Sequence, residues 1–219
     1  MSGSSEEFHK SMVLIRQNRL TEALEILEPL CNSGHADAEV WCWSGIAQLS
    51  SGQLDGAELA LRQSVILAAQ NPVANFALGT LLRKQQEWDE ALIYLQKALA
   101  GGQVAANVYW SIGVCLVWLQ RHREAIEMFH RGLEMEPDSA SICYNIAAAH
   151  DQRHDNEEAR DFATRALNNE PDHARSAILL ARLDTQEKKY SASRQRLQGL
   201  IRRTLSPFVA LAQRWSSPR

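Results

Sequence analysis

Long apolar runs are missing from this chain. No stretch approaches the roughly 18 consecutive apolar residues of a membrane-spanning helix, so no membrane partner is expected. The opening residues, MSGSSEEFHKSM, are polar and acidic, unlike a basic leader followed by an apolar stretch, and the expected location is cytoplasmic. Cysteine is sparse: Cys31, Cys42, Cys115 and Cys143 are scattered, with no C-x-x-C pair. That excludes a small disulfide framework and points to reduced thiols packed as small hydrophobes. An excess of either charge is lacking too, with 23 basic residues against 26 acidic ones and a net charge of -3. A general nucleic-acid binder needs a basic surplus, so nucleic acid is not expected as a partner. The phosphate-cradling G-x-x-x-x-G-K-[ST], the G-x-S-x-G elbow and the dinucleotide fingerprint are all absent. Neither catalysis nor a cofactor is expected. In HDQRHD (150–155), His150 and His154 stand four apart, but Asp151 occupies the position where H-E-x-x-H needs Glu, and no third ligand is evident. No metal is expected there.

What the chain does have is a period. Ala23, Ala57, Ala91, Ala125, Ala159 and Ser193 recur every 34 residues. Four positions on stand Leu27, Leu61, Leu95, Phe129, Ala163 and Leu197; twelve positions before stand Ser11, Gly45, Gly79, Gly113, Ala147 and Ala181. Small residues recurring in register on neighbouring helices let backbones approach, while the larger column fills the space beside them. Each unit therefore reads as a helical hairpin. SSGQL (50–54), KQQEW (84–88) and LQRHR (119–123) read as the turns inside hairpins. EPDSA (136–140) and EPDHA (170–174) read as junctions where Pro ends one helix and the following Asp caps the next. Pro29 falls within the second helix of the first unit and is expected to kink or shorten it.

These residues resemble the tetratricopeptide repeat, W-x-x-L-G-x-x-Y, then A-x-x-x-F, then P. Leu78, Gly79, Ala91 and Ala98 match in the third unit; Ile112, Gly113, Ala125, Phe129 and Pro137 match in the fourth; Trp41 and Gly45 match in the second. Ser44, Ala163 and Ser193 depart from the pattern. The resemblance implies an all-α, right-handed superhelical solenoid of about six hairpins, with first helices lining a concave inner surface. The units run over 4–37, 38–71, 72–105, 106–139, 140–173 and 174–207, all in one solenoid over 1–219. In the tail 208–219, Phe208, Leu211, Ala212 and Trp215 form an amphipathic stripe suited to capping the stack.

Tryptophan sorts against this frame. Trp41 fills a pattern position, and Trp88 shares a column with Leu20, Leu54 and Tyr190, so both are expected to be structural. Trp110 belongs to the column Phe8, Cys42, Phe76, Trp110, Tyr144 and Ile178, which the resemblance turns toward the inner groove. Val114, Val117 and Trp118 follow on the same helix. The expected binding groove is lined by Phe76, Trp110, Val114, Val117, Trp118 and Tyr144, with Arg83 and Arg182 placed to steer an acidic flank of a ligand; the competing expectation is that the rings pack on one another or on the tail. The clamp with which some family members hold chaperone carboxylates is absent, because Phe8, Met12, Cys42 and Ile46 stand where Lys and Asn would be needed.

The function expected is a protein–protein interaction scaffold that binds a peptide or helical segment and transforms nothing. The alternative is that these repeats are the non-catalytic part, or a relative, of a larger sulfotransferase-type or glycosyltransferase-type enzyme. Self-association through the groove or tail is a third possibility.

Overall fold

The computed structural model describes residues 2–33, 36–186 and 200. Among them every regular element is helical. The helices are α1 (Ser2–Arg16), α2 (Leu20–Asn32), α3 (Ala38–Ser51), α4 (Leu54–Leu67), α5 (Pro72–Lys84), α6 (Trp88–Ala100), α7 (Ala106–Trp118), α8 (His122–Met135), α9 (Ala140–Gln152), α10 (Asn156–Asn169) and α11 (Ala174–Gln186). The second helix of the sixth repeat and the capping stripe of 208–219 lie outside the described residues.

The turn inside each hairpin is a backbone device repeated every 34 residues. Asn18, Gly52, Gln86, Gln120 and His154 all take positive φ, between 60 and 83°. The next residue's N–H then reaches back to close the helix: Arg19 to Leu14 O, Gln53 to Gln48 O, Glu87 to Leu82 O and Asp155 to His150 O, at 2.9–3.0 Å. This left-handed closure satisfies carbonyls that a helix end would otherwise leave bare. The second helix of each hairpin starts directly from the turn without a side-chain cap. α3 and α5 are started differently, while α7 follows Ala105 without a side-chain cap. Asp37 accepts from the backbone N–H of Glu39 and Val40, and Asn71 from those of Val73 and Ala74.

Three local expectations are corrected. Ser139, not Asp138, accepts the N–H of Ile142 at the start of α9, because it is the residue immediately outside the helix. At α11 the N–H of Ser176 is accepted by His173 Nδ1 rather than by Asp172, for the same reason of register. Pro29 does not shorten α2, which runs on to Asn32.

The helices fall into two compact units, Met1–Leu119 and Gln120–Arg219. In the first, the small column does what its periodicity implied. A Cβ on Gly45 would sit 2.6 Å from Leu61 Cγ, and one on Gly79 would sit 2.7 Å from Leu95 Cγ. Leu61 and Leu95 are fully buried in the space the glycines leave, each stabilising by about 1.5–3 kcal/mol. First helices also touch across repeats, α1 with α3, α3 with α5 and α5 with α7, whereas α2, α4 and α6 do not reach one another. The layer of first helices is therefore the inside of this unit's curve. In the second unit, Ala147, Ala159, Ala163, Leu179, Leu180 and Leu183 form the core, with Tyr144, Phe162 and Leu167 packed against it. Asp184 is buried there against Arg160, 3.3 Å away.

All four cysteines are buried and reduced. Burial pushes the Cys42 thiol up to about 12 and the Cys115 thiol up to about 11, so neither is a nucleophile at neutral pH. No described helix is long and apolar enough to cross a membrane.

Candidate functional site

On α1, α3, α5 and α7 one face carries three rows of residues 34 apart. One row is Phe8, Cys42, Phe76 and Trp110; the next is Met12, Ile46, Thr80 and Val114; the third is Ile15, Leu49, Arg83 and Val117. Within a helix the three positions are four and then three residues apart, so they share one face. All are apolar except Thr80 and Arg83. All are half-buried except Cys42, which is buried. At the α1 end of the strip, Phe8 and Ile15 pack against Leu24, Leu27 and Ala47.

Charge is sparse on its three later helices. Over α3, α5 and α7 the only ionisable acids or bases besides cysteine and tyrosine are Glu39, in the first turn of α3, and Arg83 with Lys84, at the end of α5. On the second helices α4 and α6, Arg62 meets Glu58 at 2.8 Å and Glu90 at 2.8 Å, and Gln85 donates to Glu58.

Arg83 lies over Trp110, its guanidinium carbon 4.8 Å from the ring centroid, a cation–π contact of about 0.5–2 kcal/mol. Burial pushes its pKa down, although a guanidinium keeps its proton in proteins. Arg83 Nε, Trp110 Nε1 and Thr80 Oγ1 are all shut off from solvent without a hydrogen-bond partner. The half-buried arginines of the described residues are Arg62, Arg83, Arg153 and Arg160. Arg62, Arg153 and Arg160 each face a carboxylate; Arg83 does not.

A second aromatic pair stands at the end of the strip. Trp118, 61% exposed, stacks on Trp88 with ring centroids 5.0 Å apart and planes within 4°. Trp88, expected to be purely structural, thus presents a ring beside Trp118. The pairing joins helix starts and ends from consecutive repeats, 30 positions apart in sequence, and no local pattern signals it.

Tyr144 and Arg182 belong to the second unit. Tyr144 packs against the core cluster and lies 5.5 Å from the His173 ring. Arg182 is exposed and donates to the buried carboxylate of Asp151. The two histidines of HDQRHD have separate tasks. His150 Nδ1 is 3.4 Å from Asp155 Oδ2, while His154 takes the left-handed turn position. Among the described residues no three metal-ligating side chains gather.

Tetratricopeptide repeat models match residues 44–108, 76–127 and 119–183. The tetratricopeptide repeat-containing protein trd-1 of Caenorhabditis elegans is 26% identical over 81 residues, which are 37% of this chain and 10% of that protein; the match thus spans about a tenth of its length. Among solved structures, MamA MSR-1 C2 is 27% identical with a TM-score of 0.70, covering 77% of this chain and 97% of that one. MamA 41-end from Desulfovibrio magneticus RS-1 is 19% identical with a TM-score of 0.69, covering 78% and 96%. YrrB, described as a TPR protein with an unusual peptide-binding site, is 17% identical with a TM-score of 0.67, covering 81% and 92%.

Proposed function

Since the chain belongs to the tetratricopeptide repeat family, whose neighbours in fold support a protein-interaction scaffold, we propose that it holds an extended or helical segment of a partner protein on the first-helix strip of the unit Met1–Leu119. Phe76, Trp110, Val114, Val117 and Trp118 supply the apolar contact, and Arg83 supplies the charge. Tyr144 and Arg182 stand outside this strip, on the second unit, where Tyr144 packs against the core and Arg182 meets Asp151. The protein holds its partner without transforming it.

The observation that carries this reading is the strip itself: rows of half-buried, mostly apolar side chains on one face of successive first helices. Apolar surface left in this state favours association. Burying one tryptophan or phenylalanine ring removes about 150–250 Å² from water, and such rings are where binding energy concentrates.

The test is an affinity capture from source lysate with the wild-type chain beside the double variant Trp110→Ala, Trp118→Ala. Trp118 is mostly exposed and Trp110 lies beside the hairpin cores, so the variant is expected to keep its helical circular dichroism. A partner retained by the wild type and lost by the folded variant supports the strip as the site. Identical captures would remove these rings from the function.

A further inference from the structure

We propose that the segment seated on this strip is acidic and carries, within its length, an Asp or Glu side chain that pairs with Arg83. The inference rests on the strip being the binding surface and adds the chemistry of what binds there. Arg83 is the one charge in the row Ile15, Leu49, Arg83 and Val117. It is half-buried, its Nε makes no hydrogen bond, and no carboxylate stands on α5 or α7 to meet it.

Its terminal nitrogens make no hydrogen bond and are not shut off from solvent, since among its atoms only Nε is both buried and unpaired. A guanidinium held over the Trp110 ring has lost much of its freedom before any ligand arrives, so less is lost when a carboxylate engages its two-pronged edge. Every other half-buried arginine among the described residues already has its acid. An unpaired, partly desolvated cation in an apolar surface is the feature a carboxylate from outside completes. The strip continues past Arg83 on both sides, to Leu49 on α3 and to Val117 on α7. A chain crossing it therefore meets Arg83 in mid-passage, which selects an internal acidic side chain rather than a terminal carboxylate.

The experiment pans the full chain against random twelve-residue peptides fused to a carrier through their C-termini, so that no terminal carboxylate is free. Enriched peptides are expected to share an Asp or Glu flanked by apolar residues. For such a peptide, replacing the acid by its amide, or making Arg83→Met in the chain, is expected to weaken binding about tenfold or more, and the two changes together no more than either alone. Should Arg83→Met fail to fold, the peptide arm on the wild-type chain decides.

Peptides that need Trp110 and Trp118 but carry no acid and bind Arg83→Met unchanged would overturn the acidic partner and leave the strip as the site. Binding only by peptides with free C-termini would overturn the internal side chain. Binding unaffected by the tryptophan variant, or no binder at all, would overturn the strip reading and this inference with it.

Discussion

At the scale of the residue, the 34-residue ladder translates into steric facts. Gly79 is small because Leu95 occupies the place its Cβ would take: Cγ at 2.7 Å and the backbone N at 3.1 Å, neither of which is the free end of a side chain. Gly79→Ala gains helix propensity of about 1 kcal/mol but overpacks the hairpin at a cost of about 1–3 kcal/mol. The expected net result is a loss of stability of up to about 2 kcal/mol, read as a lower urea midpoint. Gly56→Ala is the control, because its Cβ would meet only the side-chain amide of Gln48, which can swing aside. That variant is expected to be neutral or stabilised by up to about 1 kcal/mol. The glycine and leucine columns were legible in the sequence because they repeat. The Arg83–Trp110 contact was not, since it joins residues 27 apart whose types do not recur in their columns.

At the scale of the element, helix existence was readable from the spacing of small and large columns, but the way helices start and stop was only half readable. The left-handed turn position is occupied by Asn18, Gly52, Gln86, Gln120 and His154, a set with no common composition, so only the backbone reveals it. Gly and Asn suit that conformation, whereas the others hold it at a cost of order 1 kcal/mol because the hairpin around them dictates it. First helices depend more on their caps. Asn71→Ala removes the acceptor for Val73 and Ala74 N–H and is expected to cost about 1 kcal/mol, seen as a lower melting temperature. Asn75 is buried nearby and donates to the carbonyls of Ala69 and Asn71, so the same loop is held from two directions.

At the scale of the whole molecule, each of the two units has its own electrostatic character. The unit Met1–Leu119 leaves a cation unpaired on an apolar strip. In the described part of Gln120–Arg219, Asp184 is instead buried against Arg160 and Asp151 against Arg182, and two histidines are half-buried around one ring. His130 lies 5.4 Å from the Phe162 ring, and His150 stacks on the same ring at 6.2 Å. Burial, then the nearby His150, pushes the His130 pKa below 6.5. In the range between the lowered and the ordinary value the unfolded chain binds more protons than the folded one, so stability rises with pH there. The contribution is complete above about pH 6.5 and is lost as pH falls through the folded value. Melting temperatures at pH 8, 7, 6 and 5 are expected to fall on acidification, and His130→Gln is expected to flatten part of that fall.

Family, helical class and the hairpin period were settled by sequence alone, because they follow from spacings that repeat every 34 residues and each repeat restates the same packing requirement. The aromatic face was legible to the extent that Phe76, Trp110, Val114 and Val117 share columns and helix faces. Only the tertiary structure decided which rings meet, Trp88 with Trp118, and which half-buried arginine among the described residues is left without an acid, Arg83. Those outcomes depend on side chains from different helices brought together at distances of a few ångströms, where rotamer choice and burial, rather than periodicity, determine the partner.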